Sequence, residues 1–456
     1  MKAINKILTT LVLLHMFSVH CYGITEIHYL LPKKYTNFAH YLLFEQPQLR
    51  RRLEKVTLKS YPPHPPHVDI IEARSSSLGL DTFMYHLVTL DHPETVDGLL
   101  ARVASTQESV LLKEKLATAY KQYLGSGYSS DMNLYRYVQM ANYLITTHKK
   151  LIQDFLKKIA CFYGTTEMPW REIEVYPCNV QTGLSTIFHN RAVLHVTPNY
   201  DFKGDLGTVI HEISHIIYQC QKPAKQIAME RFFMQHPSPY AFMAYQNLNE
   251  ALATVLGNGL FMEYLTGTED MAYNDPYIPG FAASIYKDVK HYVTTGKTID
   301  KPFFNLMIKR FAKRFPRAKE DILQAYPRAI IMYHSHTLQL PIDGFFASIV
   351  DHTMLKAISE NPYYNAASPI VCILKPQEVA QLPSLAATNP YLSHLPLKKL
   401  KQVKQQKGLY ICRGKWQRPY LFFILDHQEE FDALWKEFTS YLGSAAVQYI
   451  PMPMLP

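Results

Sequence analysis

The run Gly204-Asp-Leu-Gly-Thr-Val-Ile-His-Glu-Ile-Ser-His-Ile-Ile-Tyr-Gln219 constrains the fold more than any other stretch of this chain. At about 100° per residue it sorts into two faces, which predicts an amphipathic helix. Leu206, Val209, Ile210, Ile213, Ile216 and Ile217 share one broad apolar arc, and that arc needs a core to cover it. His211 and His215 fall about 40° apart on the other side, one turn from each other, with Glu212 and Thr208 close by. Two neutral imidazoles at that spacing can hold one tetrahedral zinc ion. The neighbouring carboxylate then stands beside the ion's open position instead of on the metal.

A third ligand has to come from a second helix. After the Pro-Ser-Pro break at 237–239, the run Tyr240–Gly259 reads as helical and carries Glu250. The face of Glu250 also bears Ala253, Thr254 and Gly257, small residues that permit the close helix approach a metal–oxygen bond of about 2 Å requires. Leu248, Leu252, Val255 and Leu256 face the other way, toward a core. Glu230, in Ala228-Met-Glu-Arg-Phe, is the rival carboxylate and reads as a solvated helix residue. Asn249 and Asn258 are placed to fix the imidazole tautomers, although a structural amide is the plainer role for each.

His211-Glu212-x-x-His215 followed by Asn249-Glu250-Ala-Leu-Ala resembles the gluzincin metallopeptidases over residues 190–260. The resemblance implies zinc held by His211, His215 and Glu250, with Glu212 as general base acting on a zinc-activated water. It also implies a tyrosine or histidine that stabilises the oxyanion, for which Tyr333, His334 and His336 are the candidates. A strand before the zinc helix is part of the zincin arrangement, and 191–197 fits the place of an edge strand that aligns substrate. The chain departs from the thermolysin type in two places. The interval from His215 to Glu250 has room for an extra helix at 224–236, and Thr254 stands where an aspartate is found.

The N-terminus gives a second signal. Lys2 and Lys6 flank an apolar run from Ile7 to Phe17, and Cys21 and Gly23 form a small-x-small site. These features predict a signal peptide cut after Gly23 and a secreted or periplasmic protein. The apolar run is too short to span a membrane comfortably, and no later stretch approaches spanning length, so no stable span is expected in the mature chain. The net charge of +9 comes from scattered Lys and Arg with no recognition module, which argues against a nucleic-acid partner. After the leader, five cysteines remain; Cys178–Cys220 and Cys372–Cys412 are pairings the sequence permits without requiring.

The expected fold class is α+β and predominantly helical. A helical N-terminal subdomain is expected at 24–165, with one long helix from about 131 to 162. A zincin-like core follows at 166–365, then a small α/β domain at 366–456. Helices are expected near 280–294, 301–314, 317–328 and 344–359. The function expected is hydrolysis of a peptide or protein substrate by a zinc metallopeptidase. Two alternatives stay open: a zinc hydrolase of a non-peptide or cell-wall amide bond, and a non-catalytic binding protein on the same scaffold. Neither composition nor motif speaks to oligomeric state.

Overall fold

Alternation along two buried strands explains how the N-terminal two-thirds of the chain is layered. In the computed structural model the described residues are 24–46, 49, 78–90, 98–99, 106–126, 134–178, 185–318, 330–333, 350–351, 370–384, 397–413, 419–434 and 448–451, with short breaks inside these stretches. The first sheet contains β1 (Glu26–Tyr29), β2 (Glu172–Cys178), β3 (Thr186–Phe188) and β4 (Arg191–His195), in the order β1-β2-β4-β3. β1, β2 and β4 run parallel, and β3 is antiparallel to β4. Ile173, Val175, Ala192 and Leu194 face one apolar cluster, while Tyr176, Cys178, Val193 and Phe188 face another. Most of β2 and β4 is therefore apolar on both faces, while Glu26, His28, Glu172, Glu174 and Arg191 remain exposed or half-buried.

Helices α1 (Thr36–Glu45), α2 (Leu78–Val88) and α3 (Thr106–Gly125) supply the second cluster. The first cluster joins α4 (Leu134–Thr147), α5 (Lys149–Tyr163), α6 (Phe202–Gln219), α7 (Pro223–Gln235) and α8 (Ala241–Thr254). A π-helical segment, Val255–Phe261, and then α9 (Met262–Thr266), α10 (Ile278–Thr294) and α11 (Lys301–Arg314) complete it. The expected class, α+β with helix predominating, holds.

Several boundaries differ from expectation. The long helix expected at 131–162 is two helices: His148, after the β-branched pair Thr146-Thr147, leaves helical geometry with ψ near 15°. β1 belongs to the same sheet as β2 and β4, so a border at 165 cuts through one sheet. The strand expected to align substrate, 191–197, is internal because β3 covers its edge. The hairpin that makes this so turns on His189 and Asn190, with His189 in the left-handed region at φ 54°. Nothing in a His-Asn pair signals such a turn as glycine would.

A second sheet has the order β10-β8-β9-β7-β5-β6. Its strands are β5 (Ile330–Tyr333), β6 (Val350–Asp351), β7 (Ile370–Leu374), β8 (Gly408–Arg413), β9 (Pro419–Ile424) and β10 (Gln448–Pro451). Val350 and Asp351 thus lie in a strand where a helix was expected, and this sheet begins well before residue 366. Most of the expected helices at 317–328 and 344–359, and the signal peptide at 1–23, lie outside the described residues. Among the described residues, no helix is long and apolar enough to cross a membrane, and all five cysteines are free thiols.

Candidate metal centre

The site is built on α6. Asp201 caps it by accepting from the Gly204 N–H at 3.1 Å, the standard way of satisfying a first-turn donor. Asp205, in the first turn, accepts from the Tyr137 hydroxyl at 2.7 Å. Burial pushes its carboxyl up to about 6, against the lowering effect of that hydrogen bond. Leu206, Val209, Ile210, Ile213, Ile216 and Ile217 are all buried in the first cluster, as the wheel predicts. Burying a side chain of this size contributes roughly 1.5–3 kcal/mol, so the apolar arc fixes the helix's rotation and thereby aims both imidazoles.

His211 Nε2 and His215 Nε2 lie 3.1 Å apart. Glu250, from α8, places Oε2 at 3.4 Å from each. A zinc ion with tetrahedral bonds of about 2.0–2.1 Å has ligand atoms about 3.3 Å apart. Three donors of the right chemistry therefore already stand at the edges of such a tetrahedron. Glu230, the rival, is fully buried in α7 instead of solvated, and it is not part of this group.

Two features bring α8 and α6 this close. A β-carbon on Gly257 would stand 2.5 Å from the His211 backbone nitrogen and 2.7 Å from the Gly207 carbonyl oxygen, so only glycine permits the approach. The π-helical winding of 255–261 then turns Asn258 toward the first helix. Asn258 Oδ1 accepts from His211 Nδ1 at 3.1 Å, which leaves the lone pair of the neutral ring on Nε2, toward Glu250 and His215. Short π segments of this kind recur at functional sites. Thr254, the departure from the thermolysin-type pattern, is fully buried, and the acceptor for His211 comes from one turn further along. Asn249 adds a buried side-chain oxygen whose influence raises the His215 pKa.

The electrostatics follow from this crowding. Burial works against the charged form of His215, but Glu250, through its charge and hydrogen bond, and Glu212 outweigh it and lift the imidazole to about 9. Burial works in the same way against Glu250, and the two imidazoles overcome it and hold its carboxyl well below the usual range. Glu212 goes the other way. Burial raises it, the imidazoles lower it and Glu250 raises it. Adjacent carboxylates pushed in opposite directions are suited to different tasks, one as a ligand and one as a proton carrier.

Tyr273 is the site residue that the sequence did not reveal. Its hydroxyl donates to Glu250 Oε2 at 3.2 Å, and its ring stacks on His211 with centroids 6.0 Å apart and planes 17° apart. It lies in the connection between α9 and α10, where no periodicity points to it. Of the expected oxyanion residues, Tyr333 ends β5 in the second sheet, and His334 and His336 lie outside the described residues.

A second trio, Glu26, His28 and Glu172, also brings three ligand-type atoms within 4.8 Å of one another, on the exposed face of β1 and β2. Lys149 already meets Glu26 there at 3.2 Å. Compared with protein-family models, curated proteins and solved structures, the chain finds no match, so what the centre does is read from its own geometry.

Proposed function

We propose that the chain is a zinc-dependent metallopeptidase of the gluzincin type, acting outside the cytosol on peptide or protein substrates. The observation that carries this reading is the donor triangle of His211, His215 and Glu250, with its 3.1, 3.4 and 3.4 Å edges. The parallel strands β2 and β4, followed by α6 and α8, support a zincin-like core around it. A zinc ion held there supplies Lewis acidity to water and to the scissile carbonyl.

The remaining work belongs to the chain's own groups. Glu212 follows directly on His211, and among the described residues no group hydrogen-bonds its carboxylate, so it is available to a substrate proton. It takes that proton from the attacking water and delivers it to the leaving amine, and its raised pKa brings it closer to the range where both transfers are efficient. Asn258 holds His211 in the ligating tautomer. Tyr273, whose hydroxyl donates to Glu250 Oε2 beside the imidazoles, joins Tyr333, His334 and His336 as a candidate oxyanion donor.

The test separates binding from chemistry. Glu212→Gln should keep stoichiometric zinc and lose hydrolysis of a peptide library by at least about 10²–10⁴-fold. His211→Ala should lose the zinc as well. A fully active Glu212→Gln protein removes the assigned base, and a preparation that binds no zinc at all removes the whole reading.

A further inference from the structure

At the opposite edge of the first sheet from β3, no strand among the described residues pairs with β1 on the side away from β2. The N–H groups of Glu26 and Leu30 reach β2, donating to Arg171 O at 3.2 Å and Val175 O at 2.8 Å. Alternation along a strand therefore turns the N–H and C=O of Ile27 and Tyr29 outward. Those of Tyr29 are satisfied by one side-chain amide: Asn142 Oδ1 accepts from Tyr29 N at 3.0 Å and Asn142 Nδ2 donates to Tyr29 O at 2.7 Å. An amide from α4 thus stands where the next strand's backbone would be. Among the described residues, nothing pairs with Ile27. Beside it opens a cavity of about 280 Å³. Ile145, Ile152 and Leu156 give it an apolar floor, and Thr146 and Lys149 form its exposed rim.

We propose that this edge docks an extended segment of another polypeptide, in which an apolar residue stands between basic ones. A residue laid antiparallel against Ile27 donates to its carbonyl and accepts from its N–H, which is strand addition limited to one pair by Asn142. Its side chain falls on the face of Ile27, over the apolar floor. Its two neighbours point to the other face, beside Glu26 and His28. Glu172 lies next to Glu26 in register there, while Glu174 is already held by Arg191 at 2.8 Å. Lys149 and His28 already meet Glu26, so the carboxylate a basic neighbour reaches is the exposed Glu172. A second copy of this chain offering its own β1 fits less well, because it flanks Ile27 with Glu26 and so brings a further carboxylate to that face.

The test uses the full chain and a fluorescent peptide, acetyl-Gly-Lys-Leu-Lys-Gly-amide, followed by anisotropy. N-methylation of the leucine amide, which blocks the donor to Ile27, is expected to weaken binding by about tenfold. Glu26→Lys and, independently, Glu172→Lys should each weaken it by several-fold, in a salt-dependent way. Chelation of metal should leave it unchanged, since this edge is separate from the zinc centre. The proposal is overturned if the methylated peptide binds within about twofold of its parent or if chelation abolishes binding. It is also overturned if no peptide binds, and self-association that Glu26→Lys disrupts would then give the edge to a second copy.

Discussion

Two trios of metal-ligating side chains stand in this protein, and they share little beyond the closeness of their donor atoms. His211, His215 and Glu250 come from two helices locked together in the main core; His211 is 5% exposed and its other nitrogen is engaged by Asn258. Glu26, His28 and Glu172 come from adjacent strands and face solvent, with Glu26 already meeting Lys149 and His28. In the first trio a bound cation would offset a desolvated carboxylate. In the second, Lys149 and His28 already do so, and holding three mobile side chains around an ion costs entropy that solvated charges do not return. The difference shows that proximity of ligands is common, whereas burial, a fixed tautomer and the absence of a competing cation distinguish a metal centre.

Paired truncations sharpen this comparison most. Glu250→Ala should weaken zinc binding on the order of 10²–10³-fold, about a quarter of what a full zinc site provides, while Glu172→Ala leaves zinc content and affinity unchanged by equilibrium dialysis. Equal losses in the two variants would erase the distinction drawn here. Next in size, Asn258→Ala should cost about 10–100-fold in zinc affinity or peptidase rate, with the unfolding midpoint shifting far less than the affinity. Gly257→Ala tests the helix contact beneath the site. Its new methyl group meets backbone atoms, not a movable side chain, so a loss of about 1–3 kcal/mol is expected in urea denaturation, accompanied by weaker zinc retention.

The smallest effect concerns pH. In metal-free protein the His215 pKa is raised above its ordinary value to about 9. Its pairing with Glu250 therefore stabilises the fold fully below about pH 6.5 and fades as pH rises through about 9. Zinc takes the deprotonated ring, so its affinity rises over the same window. Calorimetry in buffers of different ionisation enthalpy should show proton release on zinc uptake at pH 7 that falls away above pH 9. Release that does not change across that range would contradict the assigned ion pair.

The helices were readable where a period-3.6 pattern or a proline break delimits them. The expected 301–314 and 224–236 match α11 and α7 to within a residue. The grouping of His211, His215 and Glu250 follows from periodicity, since fixing the rotation of α6 and α8 by their buried arcs leaves few directions for these three side chains. Short elements were not readable in this way. β3 has three residues and turns on a histidine with positive φ, and β5 and β6 gain strand character only by pairing with β7 and with each other. The π winding at 255–261 has no local signature either, because Val-Leu-Gly-Asn-Gly-Leu-Phe suits an α-helix nearly as well.

The sequence by itself determined which residues can bind a metal and on which helix faces they stand, because helical periodicity is a local property and burial of the apolar arcs orients the rest. Only the tertiary structure decided that Asn258 would serve His211, that Tyr273 would stack on His211, that β3 would cover β4, and that β1 would stand at the end of its sheet. Each of these depends on a contact between segments distant in sequence or on a backbone bend chosen by packing, and no pattern within a single stretch records it.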